Sequence, residues 1–386
     1  MMISKKILFL GTHGQHNIGD ELLLETFLAQ LGEQHSYMIN SYDPEFTRAQ
    51  LADRYGVDVF HTTTEKMQLP KRIWQSDLLF FGGGSVLKEL YASVGRNRYA
   101  TLFMVLLIVL FARVIARKPI IMSNIGVGPV HSRFGLLLVK FILWQVTFVS
   151  VRDQRSYDTC LQVGIRKRKL VLVPDAVFVT DPESLGPVRS VDQTGGEPLK
   201  IALNLNYNIE NPENWDSFLT NLGFALKTIG AEKDLEIHAL PMQSRFNPQN
   251  DLQVLRSFQE QVPGLKVILH EPTTAQDIAE ILCKCDIVVA ERLHALVLSS
   301  ILKKPFVALI YDVKVQQLTQ FLEMERLAID INRPFEAADL ADNIVETLDR
   351  RQDIAKHLTE KVSQAAEQLH GYFNHVNEQF IATSSS

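Results

Sequence analysis

Three cysteines in 386 residues, Cys160, Cys283 and Cys285, are too few for a disulfide framework and are not spaced as the four ligands of a structural zinc site. A reduced, cytosolic setting is therefore expected. Basic surplus is also missing: the formal net charge is −5, whereas a general nucleic-acid binder carries excess Lys and Arg to meet phosphates, so nucleic acid is not expected as a partner. The very apolar stretches 102–112 and 134–149 do not span a bilayer, the first being too short and the second interrupted by Lys140 and Gln145. Near the N-terminus, Lys5 and Lys6 precede only four apolar residues before Gly11, which reads as a first β-strand and not a secretory signal. There is no internal repeat, and no low-complexity tract beyond Ser384-Ser385-Ser386.

What the chain does have is length for two ordinary cores and, at 46% hydrophobic residues, the apolar content to fill them. Strand-length β-branched and aromatic runs at 6–10, 37–40, 78–81, 120–125, 147–151 and 170–173 alternate with helix-length patterns such as 21–31 and 101–116. That rhythm predicts a parallel sheet covered by helices. Residues 180–200 turn to Pro, Gly, Ser, Asp and Thr without periodicity, and a second set of runs follows at 201–205, 236–240, 266–268, 287–289 and 306–310. The expected organisation is an N-terminal α/β domain over 1–182, a linker over 183–199, a C-terminal α/β domain over 200–335, and helices over 336–386 that pack back across both. The fold class is α/β, two doubly wound Rossmann-like domains facing across a cleft, an arrangement that resembles GT-B glycosyltransferases.

The chemistry-bearing residues fall where strands end. Ile287-Val288-Val289-Ala290 is followed by Glu291, Arg292 and His294 and then by an apolar helix-length segment. A cation and an imidazole would thus stand at a helix N-terminus, which favours anions; a surface charge and a hydrogen-bonded ring are the plainer alternative. After the first strand, Gly11 to Glu21 contains Asn17, Gly19 and Asp20, with Asp20 fit to be either a helix cap or a base. The spacing is not that of the dinucleotide fingerprint, although Asp43 near the second strand's end keeps a nicotinamide enzyme in view. Gly82-Gly83-Gly84-Ser85 can line an anion pocket with backbone N–H groups or simply turn tightly. Arg152 could fork a carboxylate or phosphate with Asp153 orienting it or acting as a base, or the two could be a structural pair; Asp175, in Val173-Pro174-Asp175, reads as structural.

Taken together and in order, Asn17-Ile18-Gly19-Asp20, Gly82-Gly83-Gly84, Ser150-Val151-Arg152-Asp153, Val173-Pro174-Asp175, Glu291-Arg292-Leu293-His294-Ala295 and Tyr311-Asp312-Val313-Lys314 resemble the polysaccharide pyruvyl transferase family over residues 7 to about 320. The resemblance implies transfer of pyruvate from phosphoenolpyruvate to two sugar hydroxyls, giving a cyclic ketal and free phosphate, with phosphoenolpyruvate as co-substrate and neither cofactor nor metal. It implies a catalytic set of His294 as the acid that protonates the enol, with Asp20 or Asp153 as base. Arg292, Arg152, Lys314 and Leu293 are the donor-binding set, and Asn17, Gly19, Gly82, Gly83, Gly84, Ser85, Glu291, Tyr311 and Asp312 serve the acceptor or shape the loops. On this reading the C-terminal domain carries the donor site and the N-terminal domain the acceptor side. A GT-B glycosyltransferase using a nucleotide sugar and a non-catalytic glycan- or membrane-binding scaffold are the competing readings.

Residues 90–152 contain no Asp or Glu but include Arg96, Arg98, Arg113, Arg117, Lys118, Arg133, Lys140 and Arg152. Their apolar segments are either buried helices of the α/β core or a surface that meets the cytoplasmic leaflet, where each basic residue near anionic lipid contributes roughly 1 kcal/mol. The second possibility would place the protein peripherally at the inner face of the cell membrane, acting on a lipid-linked glycan.

Overall fold

The computed structural model describes residues 4–90, 97–186, 198–207, 212–246 and 250–382. The chain divides into two compact units, one comprising Met1–Gln15, Asp20–Val179 and Glu367–Ser386, the other His16–Gly19 and Thr180–Ala366.

The first unit runs β1 (Lys6–Leu10), α1 (Ile18–Leu31), β2 (Ser36–Ser41), α2 (Pro44–Leu51), β3 (Gly56–His61), α3 (Leu69–Gln75), β4 (Leu78–Gly82), α4 (Ala100–Leu110), β5 (Ile120–Ile125), α5 (Arg133–Gln145), β6 (Phe148–Val151), α6 (Gln154–Gln162) and β7 (Leu170–Leu172). Its seven strands are ordered β3-β2-β1-β4-β5-β6-β7 and all pair in parallel. Helices cover both faces of such a sheet, so β4 and β5 are buried at every position, which explains their unbroken apolar reading. Phe9, Phe27, Phe80 and Phe373 interlock at centroid distances of 5.1–5.8 Å and fill the space beside β1 and β4.

The second unit continues with β8 (Leu199–Asn204), α7 (Trp215–Glu232), β9 (Leu235–Ala239), α8 (Asp251–Gln261), β10 (Lys266–Leu269), α9 (Ala275–Lys284), β11 (Ile287–Ala290), α10 (Leu293–Ile301), β12 (Phe306–Ile310), α11 (Val313–Phe321), β13 (Ala328–Asp330), α12 (Ala337–Asp349) and α13 (Arg351–Val376). Six parallel strands are ordered β10-β9-β8-β11-β12-β13.

Several elements differ from the sequence reading. Strands β3 and β13 were not expected; both are edge strands, and one short or partly exposed strand gives little apolar signal. Helix α1 begins at Ile18, so Asp20 lies inside the first turn, and the cap role falls to Asn17, whose side-chain oxygen accepts from the Gly19 N–H at 3.1 Å. An Asn caps as well as an Asp, and an acid one turn in still favours the helix dipole. Of the expected linker, 187–197 lies outside the described residues, while residues 182–185 form a 3₁₀ turn of the second unit. α12 packs on α7 in the second unit, and from Glu367 onward α13 belongs to the first.

Candidate functional site

In an open parallel sheet, ligands bind outside the carboxyl ends of the strands where the order reverses. The first sheet reverses between β1 and β4, the second between β8 and β11. Of the predicted residues, Asp20, Gly82, Gly83, Gly84 and Ser85 stand after β1 and β4 in the first unit, whereas Arg152 and Asp153 follow β6, two strands from β4. In the second unit, which also includes Asn17 and Gly19, Glu291, Arg292, Leu293 and His294 follow β11, and Tyr311, Asp312 and Lys314 follow the neighbouring β12.

In the first unit the glycines have distinct causes. A Cβ on Gly82 would stand 2.1 Å from Phe9 Cζ, and one on Gly83 2.0 Å from a Leu23 methyl, so these two let the strand end approach the core. A Cβ on Gly84 would meet only Thr12 Oγ1, at an ordinary contact distance of 3.8 Å, and glycine is required there by its φ of +72°. Thr12 donates to Asp20 Oδ2 at 3.3 Å. Arg152 and Asp175 are buried together, 2.9 Å apart, and although burial opposes the guanidinium charge, Asp175, Asp153 and Asp20 raise its pKa. Asp153 caps α6, accepting from Ser156 N at 2.7 Å and Ser156 Oγ at 2.9 Å, so both carboxylate oxygens are engaged. The structural pair is thus Arg152–Asp175.

The sequence reading missed two groups here. Glu21 Oε1 accepts from Gly14 N at 2.8 Å, while its other oxygen has no partner among the described residues; burial pushes its pKa up to about 8. His13 lies against Phe9, ring centroids 5.5 Å apart, with both nitrogens likewise without partners, and burial drives its pKa down to about 3, keeping the ring neutral. Buried polar atoms without partners are uncommon and mark candidate functional positions. Glu21 follows the motif directly, but nothing local reveals that it is buried.

In the second unit Arg292 precedes α10, and its guanidinium is clamped by Asp251 through Nε at 3.2 Å and Nη2 at 2.5 Å, with Gln243 at 3.4 Å. Burial again opposes the charge but Asp251 overrides it, raising the pKa. Asp251 is itself fixed by the Met242 N–H at 3.0 Å and by Asn204, whose Oδ1 accepts from Arg292 N at 2.9 Å. Nη1 carries no bond among the described residues. Glu291 is fully buried; Asn206 donates to its Oε2 through N at 3.1 Å and Nδ2 at 2.7 Å, and Oε1 has no partner among the described residues. Burial raises its pKa well above the ordinary carboxylate value, which favours the protonated form, against the opposing pull of the Asn206 hydrogen bond and Arg292.

His294 lies in the first turn of α10, its ring against the backbone of Gly19: a Cβ there would meet Nδ1 at 2.1 Å and His294 Cβ at 2.8 Å. The segment carrying Gly19 is held by a backbone bond from Ile18 N to Met242 O at 3.0 Å and a bridge between Asn17 and Gln243. Leu293 opens α10 half-buried. Tyr311 is buried at the end of β12, and burial raises its pKa; Asp312 caps α11 and meets Lys314 Nζ at 3.5 Å. Asn204, Asn206, Gln243 and Asp251 were not singled out from the sequence, because each acts through residues far along the chain.

Two parallel-sheet α/β domains define a protein of the GT-B-like class. Solved structures similar to it include Alr3699/HepE of Anabaena in complex with UDP-glucose (15% identity, 97% of this chain and 100% of that one, TM-score 0.61). Others are a putative UDP-N-acetylglucosamine 2-epimerase from Listeria monocytogenes (11%, 100% and 99%, 0.63) and a glycosyltransferase from Rickettsia africae ESF-5 (12%, 99% and 100%, 0.63). At these identities the likeness is one of fold. No curated protein matches the chain. The polysaccharide pyruvyl transferase family model matches residues 17–313, and the chain belongs to that family.

Proposed function

We propose that the chain is a cytoplasmic transferase moving pyruvate from phosphoenolpyruvate to two hydroxyls of a sugar in a cell-surface polysaccharide precursor. The observation that carries this reading is the turn before α10 in a member of the pyruvyl transferase family. There a clamped guanidinium with Nη1 to spare, a buried carboxyl and an imidazole stand at a helix N-terminus, a place that favours anions.

The chemistry requires a proton on C3 of the enol, which makes C2 electrophilic. One sugar hydroxyl adds to C2, the bond from C2 to the phosphate oxygen breaks, and the second hydroxyl closes the ketal. Of the two hydroxyl protons, one balances the proton given to the new methyl group and the other leaves with phosphate. His294 is the proposed acid. Arg292 and Lys314 meet the donor's carboxylate and phosphate, with Arg152 the second guanidinium candidate. Asp20 is the proposed base, a role less suited to Asp153 with both oxygens held by Ser156.

Calorimetric titration with phosphoenolpyruvate, and separately with UDP-, GDP- and CMP-sugars, tests the donor. Saturable binding of phosphoenolpyruvate is expected, weakened by about 2–5 kcal/mol in Arg292→Ala. Because that variant strands the buried Asp251, His294→Ala is its companion: it should abolish phosphate release while leaving donor affinity within a few fold. The glycosyltransferase reading is favoured by the fold shared with a UDP-glucose complex; binding of a nucleotide sugar alone would replace the pyruvyl reading with it.

A further inference from the structure

Helices α4 and α5, both within the acid-free stretch, form a surface that neither switch point uses. Helices α4 and α5 pack side by side, each turning one face into the core through Leu102, Val105 and Val109 on α4 and Leu138, Val139 and Ile142 on α5. Their other faces are apolar too, and exposed. On α4 these are Phe103, Met104 and Leu107, the last 68% exposed; on α5 they are Phe134, Leu137, Phe141 and Trp144, the last 52% exposed. Phe103 and Phe134 lie 6.0 Å apart and join the two helices into one patch. Contiguous exposed apolar surface of this kind marks a protein or membrane contact.

Charge decides between them. Exposed Arg113, Arg117 and Arg133 and half-buried Lys140 surround or stand within the patch, Lys140 Nζ lying 4.9 Å from the Trp144 ring centre. A bordering carboxylate, Glu89, is buried and already held by Arg98 and Ser132. A second copy docking through a two-fold axis would set this basic patch against itself, at a cost in like-charge repulsion. Anionic headgroups above an acyl layer match both its features. Among the described residues no helix is long and apolar enough to cross a membrane, and α4, 11 residues long, is suited to lying in the interfacial plane with its aromatic and apolar side chains dipping in.

We infer that the outer face of α4 and α5 docks on a bilayer surface rich in anionic lipid. The inference rests on no assignment of the donor, and its test is independent of activity. The full chain is floated with vesicles of phosphatidylcholine alone or with phosphatidylglycerol, in 20 mM and 500 mM NaCl. Binding is expected to the anionic vesicles, with at least a tenfold loss at high salt, where charges are screened within a few ångströms. Leu107→Asp should reduce it at least tenfold, as should the pair Arg113→Glu and Lys140→Glu, with circular dichroism melts confirming that the variants fold. Absence of wild-type binding at low salt would overturn the inference. So would equal binding to neutral vesicles, indifference to the substitutions in folded variants, or a wild-type dimer dissociated by Leu107→Asp that floats with no vesicle.

Discussion

Gly19 and His294 are a pair in which one residue's missing side chain places the other's. The imidazole occupies the space a methyl group at position 19 would need, and the clash reaches back to His294 Cβ, so rotation of the ring alone does not relieve it. Gly19→Ala should therefore retain the fold but lower phosphate release from phosphoenolpyruvate on the order of 100-fold, the scale expected for a misplacement of about 1 Å. Unchanged turnover in a folded variant would separate His294 from catalysis. Glu21 offers a prediction read from stability. Its carboxyl is raised from 4.5 to about 8 by burial, so between those values the unfolded chain releases a proton that the folded chain keeps. The stability it contributes is present below about pH 4.5 and lost as pH rises toward 8. Glu21→Gln should remove that dependence, gaining on the order of a few kcal/mol relative to the parent at pH 8 and little at pH 4.5. Parallel denaturation curves for the two proteins across that range would exclude the shift.

At the scale of elements, most strands were legible as β-branched or aromatic runs bounded by turn residues, which are local signals, whereas the edge strands β3 and β13 were not. Helix α1 was harder: it is buried along nearly its whole length, so periodicity does not fix its start, and the Asn17 cap does. The end of α13 is likewise set by tertiary contacts. Tyr372 is buried, its pKa pushed up to about 12 by burial, and its hydroxyl meets Ser123 Oγ at 2.6 Å and Ser150 Oγ at 2.8 Å on neighbouring strands β5 and β6. Tyr372→Phe leaves two serine hydroxyls without that partner and should cost about 1–3 kcal/mol by denaturant unfolding. A loss under 0.3 kcal/mol would mean the hydroxyls find water instead.

For the whole molecule, the assignment of residues from Glu367 onward to the first unit means that the chain's last residues complete its first core. Phe373 packs edge-on against Phe27 at 5.8 Å, and Phe148 lies 5.3 Å from Phe380. A chain ending at Ala366 should therefore show faster hydrogen exchange in β4, β5 and β6, with β8, β11 and β12 little changed. Equal acceleration in both sheets would show that the segment supports the molecule in some other way.

The order of residues alone determined that this is a parallel α/β protein with its charged and glycine-bearing turns at strand ends, and the ordered motif set identified its family. Apolar periodicity and turn chemistry act over a few residues and need no knowledge of distant contacts. Only the tertiary structure decided the partners and the shifts in pKa: Asp251 for Arg292 across 41 positions, Asp175 for Arg152 across 23, and the burial that disfavours the charged forms of Glu21, Glu291 and His13. It also decided that α4 and α5 turn apolar faces outward as well as inward, a choice the composition of residues 90–152 left open. Desolvation and ion pairing depend on which remote segments surround a group, and no local pattern encodes that.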